Sequence, residues 1–238
     1  MPTAAVKVEP RRVIPVAGSP KVFPVRRVYC IGRNYADHAR EMGGNPEREA
    51  PFFFMKPADA VLPVAEGSTT VLPYPPGTED FHHEVELVVA LKSGGRDISE
   101  KEALSHIYGI AVGLDMTRRD LQGQSKDKRQ PWENGKAADF SAPCGPLTRL
   151  AGQRALLKKS AISLSVNGKP RQNSALTAMI WSIPEQIAIL SKFYELKAGD
   201  LIFTGTPAGV GSVVRGDVLE AAVAGSAGAL VPIKLKVA

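Results

Sequence analysis

The sequence has few of the residues that mark disulfide-rich or membrane-spanning proteins. Only two cysteines occur in 238 residues, Cys30 and Cys144, and neither belongs to a Cys-x-x-Cys pair or to a Cys/His cluster. We therefore expect no disulfide framework and a reduced protein. No uncharged apolar run approaches the roughly 20 residues that span a bilayer. The first 30 residues contain no continuous apolar segment, so we expect no secretory signal, no membrane partner and a cytoplasmic location.

Motifs of nucleophilic-serine and phosphate-binding enzymes are also missing. The chain has no Gly-x-Ser-x-Gly, and its glycine-rich stretch "FTGTPAGVG" lacks the Lys-Ser/Thr ending of a P-loop. The formal net charge is +6, but the basic residues are spread along the chain, with acids among them. This charge mildly favours an anionic small-molecule partner, and we expect no nucleic-acid partner.

Proline and glycine are abundant, with 19 and 22 copies, and strand-like runs recur between them. "SVNGKPR" predicts a hairpin turn at Asn167 and Gly168. Helices are expected to be few and short. The clearest is "SIPEQIAILSKFYEL", with Ser182 as N-cap and Pro184 in the first turn. The sequence predicts a mainly β, single α+β unit, with residues 1–27 as a short lead-in to a domain over residues 28–238.

The stretch "DFHHEVELVV", residues 80–89, places two carboxylates inside an apolar run. In a strand, Glu84 and Glu86 share one face, while Val85, Leu87 and Val89 share the other. Two carboxylates in a dry environment repel each other, so either one is protonated or a cation neutralises both. The spacing therefore raises the question of a metal site.

A third carboxylate, Asp115, ends the strand-like run "IYGIAVGLDMT". If this strand neighbours the first, three carboxylates converge, and such an all-oxygen set suits Mg²⁺, Mn²⁺ or Ca²⁺ better than Zn²⁺. The alternative is a solvated sheet face with Asp115 in a turn, and the spacing alone favours that alternative. His82 and His83 are interpreted as packing residues rather than ligands.

Motifs in order along most of the chain resemble the fumarylacetoacetate hydrolase superfamily. They include "CIGRNYADHAREMG", "HHEVELVVAL", "GLDMTRRDLQ", "PWENGKAADF" and "FTGTPAGVG". More narrowly, the chain resembles the short acylpyruvases, closest to bacterial fumarylpyruvate hydrolases. The resemblance implies a curled, roll-like mixed β-sheet, a homodimer, and Mg²⁺ or Mn²⁺ held by Glu84, Glu86 and Asp115.

The resemblance also implies a lid that carries a base. Its "RNYADH" motif and the following Glu correspond here to His38 and Glu41, which lie on one face of a helix when three residues apart. A carboxylate at that distance fixes the imidazole tautomer and keeps its pKa near neutrality, as a general base requires. We predict that residues from about Asn34 to Ala50 are mobile without ligand and become helical when the site is filled.

Other residues match substrate contacts of the family. Arg119 and Gln122 match positions for the keto-acid end, Lys136 matches an active-site lysine, and Thr206 matches a contact to the substrate carboxylate. Arg33 and Lys56 are basic residues near the lid, and both a substrate contact and a structural role are open for each. Arg118 is interpreted as a solvated charge.

The function that follows is metal-dependent hydrolysis of a C–C bond in an anionic 2,4-diketo acid. The substrate implied is an acylpyruvate, with fumarylpyruvate cleaved to fumarate and pyruvate as the specific prediction. Alternatives on the same scaffold are an oxaloacetate decarboxylase and an isomerase or decarboxylase of an aromatic-degradation intermediate. Retention of both His38 and Glu41 favours hydrolysis. A non-catalytic binding protein would differ by lacking tight Mg²⁺ or Mn²⁺ binding.

Overall fold

The computed structural model describes residues 5–41 and 49–238, and strands dominate in this part of the chain. In chain order the strands are β1 (Val13–Pro15), β2 (Val22–Pro24), β3 (Arg27–Ile31), β4 (Phe53–Lys56), β5 (Val61–Pro63), β6 (Thr69–Leu72), β7 (Phe81–His83), β8 (Val85–Leu91), β9 (Ile107–Leu114), β10 (Thr117–Arg118), β11 (Ala142–Cys144), β12 (Thr148–Arg149), β13 (Ser160–Val166), β14 (Lys169–Ala175), β15 (Asp200–Phe203), β16 (Gly211–Val213), β17 (Val218–Gly225), β18 (Gly228–Ala229) and β19 (Ile233–Val237).

The helices are few and mostly short. They are α1 (Ala36–Glu41), α2 (Glu100–Ala103), α3 (Arg119–Asp127), α4 (Glu133–Lys136), α5 (Leu156–Lys159) and α6 (Ile183–Phe193), with 3₁₀ turns at Ala58–Ala60, Leu104–His106 and Leu176–Ala178. Helix α6 begins as predicted, after Ser182, whose backbone N–H donates to Glu185 at 2.9 Å. Within the described ranges, every helix is too short or too polar to cross a membrane.

Two large sheets form the body of the fold. The first has the order β4-β3-β15-β8-β9-β11-β5, with β12 beside β9, and the second has the order β14-β13-β17-β19-β6, with β18 beside β17. Pairing is mixed, because β15 runs parallel to β3 but antiparallel to β8. Two small sheets, β10-β7-β16 and β1-β2, complete the architecture. The predicted mainly β fold with a curled mixed sheet and few short helices is confirmed.

Strand β8 is buried along its whole length, which explains its continuous apolar sequence. Val85, Leu87 and Val89 face the larger core, which also contains side chains from the second sheet. Val88 and Ala90 face a smaller core on the other side of the first sheet. Period-2 alternation puts Glu86 on this second face, at the end of the strand where the apolar residues give way to charge.

The N-terminal lead-in covers the smaller core. Strands β1 and β2 pair as an antiparallel hairpin. Their side chains Ile14 and Phe23 are buried in the same cluster as Val28 of β3 and Val88 of β8. The lead-in therefore packs against the body of the fold, and the boundary between lead-in and domain at residue 28 stays a prediction.

The predicted hairpin joins β13 to β14. Asn167 and Gly168 occupy the turn with φ of 52° and 75°, the left-handed values that a two-residue hairpin turn of this kind requires. The hairpin carries Gln172 on β14, opposite Leu164 and almost fully buried. A buried amide in a strand needs hydrogen-bond partners, and these partners lie at the candidate site.

Candidate metal and substrate site

Three carboxylates converge where β8 and β9 meet. The two strands pair antiparallel with Glu86 opposite Gly113, and the backbone N–H of Asp115 donates to the carbonyl of Glu84 at 2.8 Å. One ligand atom from each of Glu84, Glu86 and Asp115 lies within 4.8 Å of the others, and all three residues are buried. The neighbouring strands that the sequence analysis required for convergence are therefore present.

Cations and backbone N–H groups surround these carboxylates. Nζ of Lys136 lies 2.7 Å from Glu84 Oε2 and 2.8 Å from Asp115 Oδ2. The guanidinium of Arg119 donates to the other oxygen of Glu84. The backbone N–H of Gly205 donates to Glu86 Oε2 at 2.7 Å. Glu86 is thus the member of the triad whose hydrogen bond comes from a neutral donor.

The environment separates the pKa values of the acids. Burial raises the pKa of Glu86 well above its usual value, and the charges of Asp115 and Glu84 raise it further. Burial acts in the same direction on Glu84, but Lys136 and Arg119 outweigh it and hold its pKa below the usual range. Burial would lower the pKa of Lys136, yet Asp115 and Glu84 raise it overall. Lys136 is therefore charged, and Glu86 retains a proton most readily when no metal is bound.

The residues present fit a divalent cation. Oδ1 of Asp115 is buried and receives no hydrogen bond, although Nζ of Lys56 lies 2.9 Å away as an ion pair without hydrogen-bond geometry. A buried carboxylate oxygen that accepts no hydrogen bond keeps lone pairs available to ligate a cation. Three carboxylates with no nitrogen or sulfur donor suit Mg²⁺ or Mn²⁺.

Lys56 lies inside the protein, behind the triad. Its ammonium donates to the carbonyls of Met116, at 3.0 Å, and Lys136, and to Oγ of Ser141 at 3.0 Å. These three hydrogen bonds use its three N–H donors, and the ion pair with Asp115 adds a charge contact. Of the two roles left open for Lys56, these contacts favour the structural one.

Helix α1 positions the predicted base over the triad. Nδ1 of His38 lies 3.1 Å from Oε2 of Glu41. Because a carboxylate accepts, Nδ1 carries the hydrogen and Nε2 is left with its lone pair. Burial lowers the pKa of His38, and the charges of Glu84 and Glu41 only partly oppose this. His38 is therefore a neutral imidazole at neutral pH, the form that accepts a proton.

The start of the predicted lid is firmly anchored. The Nδ2 group of Asn34 donates to the carbonyls of Thr204 at 2.8 Å and Trp181 at 3.0 Å, and its Oδ1 accepts from the N–H of Trp181 at 2.7 Å. Asn34 is fully buried, which favours a mobile segment that begins after this residue. Residues 42–48 of the predicted lid lie outside the described residues, and its motion stays a prediction.

Helix α3 contributes three side chains to one cavity. Arg119, Gln122 and Lys126 are spaced i, i+3, i+7 and line the same cavity. An N–H of Arg119 donates to Oε1 of Gln122 at 2.5 Å. Lys126 is absent from the predicted site, although its helical spacing from Arg119 could have identified it. Burial lowers the pKa of Lys126 to about 8, and the charges of Arg119 and Arg33 act in the same direction.

Thr206 is held by a residue that the sequence analysis missed. Nε2 of Gln172 donates to Oγ1 of Thr206 at 2.8 Å and to the carbonyl of Pro207 at 2.9 Å. Oε1 of the same amide accepts from the N–H of Val85 at 3.0 Å and lies 2.9 Å from Nδ1 of His83. Gln172 therefore joins the second sheet, the start of β8 and the loop after β15.

One cavity brings together nine of the ten predicted site residues: Arg33, His38, Glu84, Glu86, Asp115, Arg119, Gln122, Lys136 and Thr206. Glu41, the tenth, contacts the cavity through His38. The cavity volume is about 30 Å³, space for a few water molecules at most. A keto acid with six or more heavy atoms needs more room, so we expect α1 to move when substrate enters.

The fold is that of the fumarylacetoacetate hydrolase family. Residues 27–234 match the family model described as "Fumarylacetoacetate (FAA) hydrolase C-terminal". The chain belongs to this family.

Named relatives cover most of the chain and have two different activities. A fumarylpyruvate hydrolase of Ralstonia sp is 44% identical over 75% of this chain and 90% of its own length. An oxaloacetate tautomerase of Escherichia coli is 41% identical over 83% of this chain and 88% of its own length. The crystal structure of fumarylpyruvate hydrolase from Pseudomonas aeruginosa in complex with Mn²⁺ and pyruvate has a TM-score of 0.94, 51% identity and 99% coverage of both chains.

Proposed function

We propose that this protein is a divalent-metal-dependent hydrolase that cleaves fumarylpyruvate to fumarate and pyruvate. The observation that carries the proposal is the His38–Glu41 pair, whose imidazole lines the same cavity as the three carboxylates. A neutral imidazole oriented by a carboxylate is suited to take a proton from water. Hydrolysis needs such a base because water must become a nucleophile.

In the proposed reaction, Nε2 of His38 takes a proton from a water molecule as its oxygen attacks the acyl carbonyl of the diketo acid. The bond between that carbonyl carbon and the methylene carbon then breaks, and its electron pair forms the enolate of pyruvate. Return of the proton to the methylene carbon completes pyruvate, and the acyl group leaves as a carboxylic acid whose proton is lost to solvent, giving fumarate. One water is consumed, so the atoms balance. Glu41 stabilises the imidazolium that forms between these steps.

Glu84, Glu86 and Asp115 are the residues that would hold Mg²⁺ or Mn²⁺. Bound there, the cation supplies Lewis acidity to the 2-oxo-acid end of the substrate. Lys136, which stays protonated between Glu84 and Asp115, adds positive charge for the developing oxyanion. Arg119, Gln122 and Thr206 are proposed to bind and orient the carboxylate of this end.

The relatives named fumarylpyruvate hydrolase, in Ralstonia and in Pseudomonas aeruginosa, support the choice of substrate. The second candidate function is keto–enol tautomerisation of oxaloacetate, because a tautomerase is 41% identical over most of the chain. Tautomerisation moves a proton between carbon and oxygen without a nucleophilic water. The His38–Glu41 pair therefore favours hydrolysis but is compatible with both reactions.

The test is direct. Purified protein loaded with Mn²⁺ is supplied separately with fumarylpyruvate, acetylpyruvate and oxaloacetate, and pyruvate release and enol absorbance are followed. We expect pyruvate release to be fastest from fumarylpyruvate and to stop with EDTA. If enol conversion of oxaloacetate is faster than pyruvate release from any substrate, the hydrolase proposal is wrong and the tautomerase function is supported.

The proposal also includes a homodimer that works in the cytoplasm on a small anionic keto acid. Light scattering after size exclusion at several concentrations tests the dimer, and fractionation of the producing cells tests the location. Neither result affects the reaction assigned to the site.

A further inference from the structure

Two cations in the cavity have no carboxylate partner among the residues that the structure describes. Lys126 and Arg33 line the same cavity as the triad but form no ion pair, whereas Lys136, Arg119 and Lys56 each pair with a triad acid. Half-buried cations without a counter-ion cost desolvation free energy, so an anion is the partner that such a site favours.

Aromatic rings hold these two side chains in place. The ammonium of Lys126 lies 5.2 Å from the ring centroid of Trp132, and the guanidinium of Arg33 lies 6.0 Å from that of Phe52. The two rings pack edge to face, with centroids 5.2 Å apart. Cation–π contacts at these distances are favourable and orient each side chain without neutralising it.

Backbone geometry supports the same arrangement. Arg33 has a φ of 54°, which is uncommon for a residue other than glycine. A side chain on Gly32 would come within 2.0 Å of the Phe52 ring. The chain therefore accepts an uncommon backbone conformation at Arg33 and leaves room at Gly32 for the Phe52 ring beside it, as expected when their placement has a function.

Resting on the proposed function, we propose that Lys126 and Arg33 together bind the second carboxylate of a dicarboxylic acylpyruvate. The triad metal site and Arg119 serve the carboxylate of the 2-oxo end, and the distal carboxylate then needs its own cationic partner on leaving water. Acylpyruvates with a neutral acyl chain lack this group and gain nothing from the two cations. Lys126 and Arg33 are therefore specificity-determining residues for a dianionic substrate.

The first experiment compares Lys126→Met with Lys126→Arg, since methionine keeps an unbranched chain against Trp132 and arginine keeps the charge. For Lys126→Met we expect kcat/KM for fumarylpyruvate to fall about tenfold or more, mainly through KM. Activity on acetylpyruvate should change less than about twofold in the same variant. Lys126→Arg should retain most of the preference. Equal losses on both substrates, or no loss on either, would overturn the proposal.

A binding measurement separates this proposal from the proposed function. Calorimetry on the Mn²⁺-loaded protein, with fumarate and with pyruvate, needs no turnover. Lys126→Met should weaken fumarate binding about tenfold and leave pyruvate binding unchanged. If the wild type cleaves no diketo acid, the proposed function fails, and the fumarate titrations still decide the subsite. Equal fumarate affinity in wild type and variant would rule the subsite out.

A pH series adds an independent readout. The charged groups around Lys126 are Arg33 of the β3–α1 loop, Arg119 of α3, Glu84 of the triad and Lys136 of α4. Of these groups, Lys136 has a raised pKa and Glu84 a lowered one. With the Lys126 pKa near 8, KM for fumarylpyruvate should rise above that pH in the wild type. In Lys126→Arg it should stay flat, and an equal rise in both would contradict the assignment.

Discussion

Glu41 accepts a hydrogen bond from the backbone N–H of Gly209, with Oε1 at 3.0 Å and Oε2 at 3.2 Å. The contact joins helix α1 to the loop that follows β15, while Oε2 also contacts Nδ1 of His38. The Glu41 carboxylate, which orients His38, is thus held by a backbone N–H of the loop after β15. Its position depends on how closely this loop approaches α1.

The first prediction concerns Gly209, which has a φ of 94° and packs against the backbone of β14. A Cβ atom there would lie 2.0 Å from the carbonyl oxygen of Arg171. Gly209→Ala must therefore shift the loop and its N–H away from Glu41, and we expect kcat to fall about tenfold or more. Metal affinity, measured by Mn²⁺ titration, should not change.

The matched control for this substitution is Gly123→Ala. A Cβ atom on Gly123 meets no neighbour within 4 Å, and alanine is the better helix former in α3. This variant should keep wild-type activity with equal or greater stability. A Gly209→Ala protein that behaves like the control would show that the Glu41 contact is dispensable.

The second prediction concerns the pH dependence of the base. His38 must be neutral to take a proton, and burial lowers its pKa from 6.5, so kcat/KM for acetylpyruvate, which has no second carboxylate, should fall in acid solution, below that value. Glu41 raises this pKa through its hydrogen bond and charge. In Glu41→Gln the acid limb should therefore move to lower pH, while the plateau rate falls. A limb that moves to higher pH would contradict the assigned pair.

His38→Ala extends the same test. Loss of a general base costs roughly a hundredfold or more in kcat, while Mn²⁺ affinity should be preserved. Full activity in this variant, with intact metal binding, would exclude His38 as the base.

The third prediction links metal affinity to Glu86. Because burial and neighbouring carboxylates raise the pKa of Glu86, a cation must displace its proton in order to bind. Affinity for Mn²⁺ should therefore rise with pH, by up to about tenfold per unit below that pKa, with close to one proton released per ion. Calorimetry in buffers of different ionisation enthalpy measures the proton count.

Glu86→Gln is the variant that identifies the group. An amide has no proton to release, so binding should become weaker and lose most of its pH dependence. If the proton count stays the same in Glu86→Gln, another group is the one that titrates.

The fourth prediction concerns the buried cation behind the triad. Lys56→Met leaves Oδ1 of Asp115 without its ion-pair partner and removes hydrogen bonds to the carbonyls of Met116 and Lys136. Removing one member of a buried pair costs about 3–5 kcal/mol in unfolding free energy. The lower end is expected, because Lys136 still pairs with Asp115. Denaturant unfolding in EDTA measures the change.

A structural role and a substrate-binding role of Lys56 predict opposite effects of Lys56→Met on stability and on substrate preference. If Lys56 bound the distal carboxylate, its methionine variant would retain stability and lose only the preference for fumarylpyruvate. If Lys56 has a structural role, its loss should instead lower stability and reduce activity on acetylpyruvate and on fumarylpyruvate to the same extent. Comparing activity on the two substrates therefore distinguishes the effect of replacing Lys56 from the effect of replacing Lys126.

The parts of the site that could be predicted from sequence are those encoded by short spacings. Glu84 and Glu86 share a strand face because they are two residues apart, and His38 and Glu41 share a helix face because they are three apart. Convergence of Asp115 depended on β8 and β9 being neighbours. Consecutive antiparallel strands commonly are, and the family resemblance supplied the rest.

Other residues depend on contacts between distant segments. The oxygen partners of Lys56 lie 60 to 85 positions away in sequence, so no local pattern distinguished its structural role from a substrate role. Gln172, on a strand of the second sheet, lies 34 positions from Thr206, which is in the loop after β15. Lys126 was predictable from helical spacing, but its polar surroundings in "TRRDLQGQSKDK" resemble those of a solvated helix.

The last prediction concerns Gln172 and Thr206. Backbone groups fix the amide of Gln172, because Oε1 must accept from the N–H of Val85 and Nε2 must donate to the carbonyl of Pro207. The same Nε2 donates to Thr206 Oγ1 at 2.8 Å. The hydroxyl hydrogen of Thr206 is therefore free to donate to another acceptor, and Thr206 lines the substrate cavity. Gln172 is predicted to be a positioning residue for an anionic ligand.

A double-variant cycle measures this coupling. Gln172→Met and Thr206→Val should each raise KM for acetylpyruvate, by about fivefold to tenfold, the scale of one lost hydrogen bond. If Gln172 acts through the Thr206 hydroxyl, the double variant should be no worse than either single variant, because the second change removes nothing further. Thr206→Ser keeps the hydroxyl and should retain a low KM only while Gln172 is present. Additive losses would instead mean that Gln172 supports β8 and the Pro207 loop independently of the ligand contact.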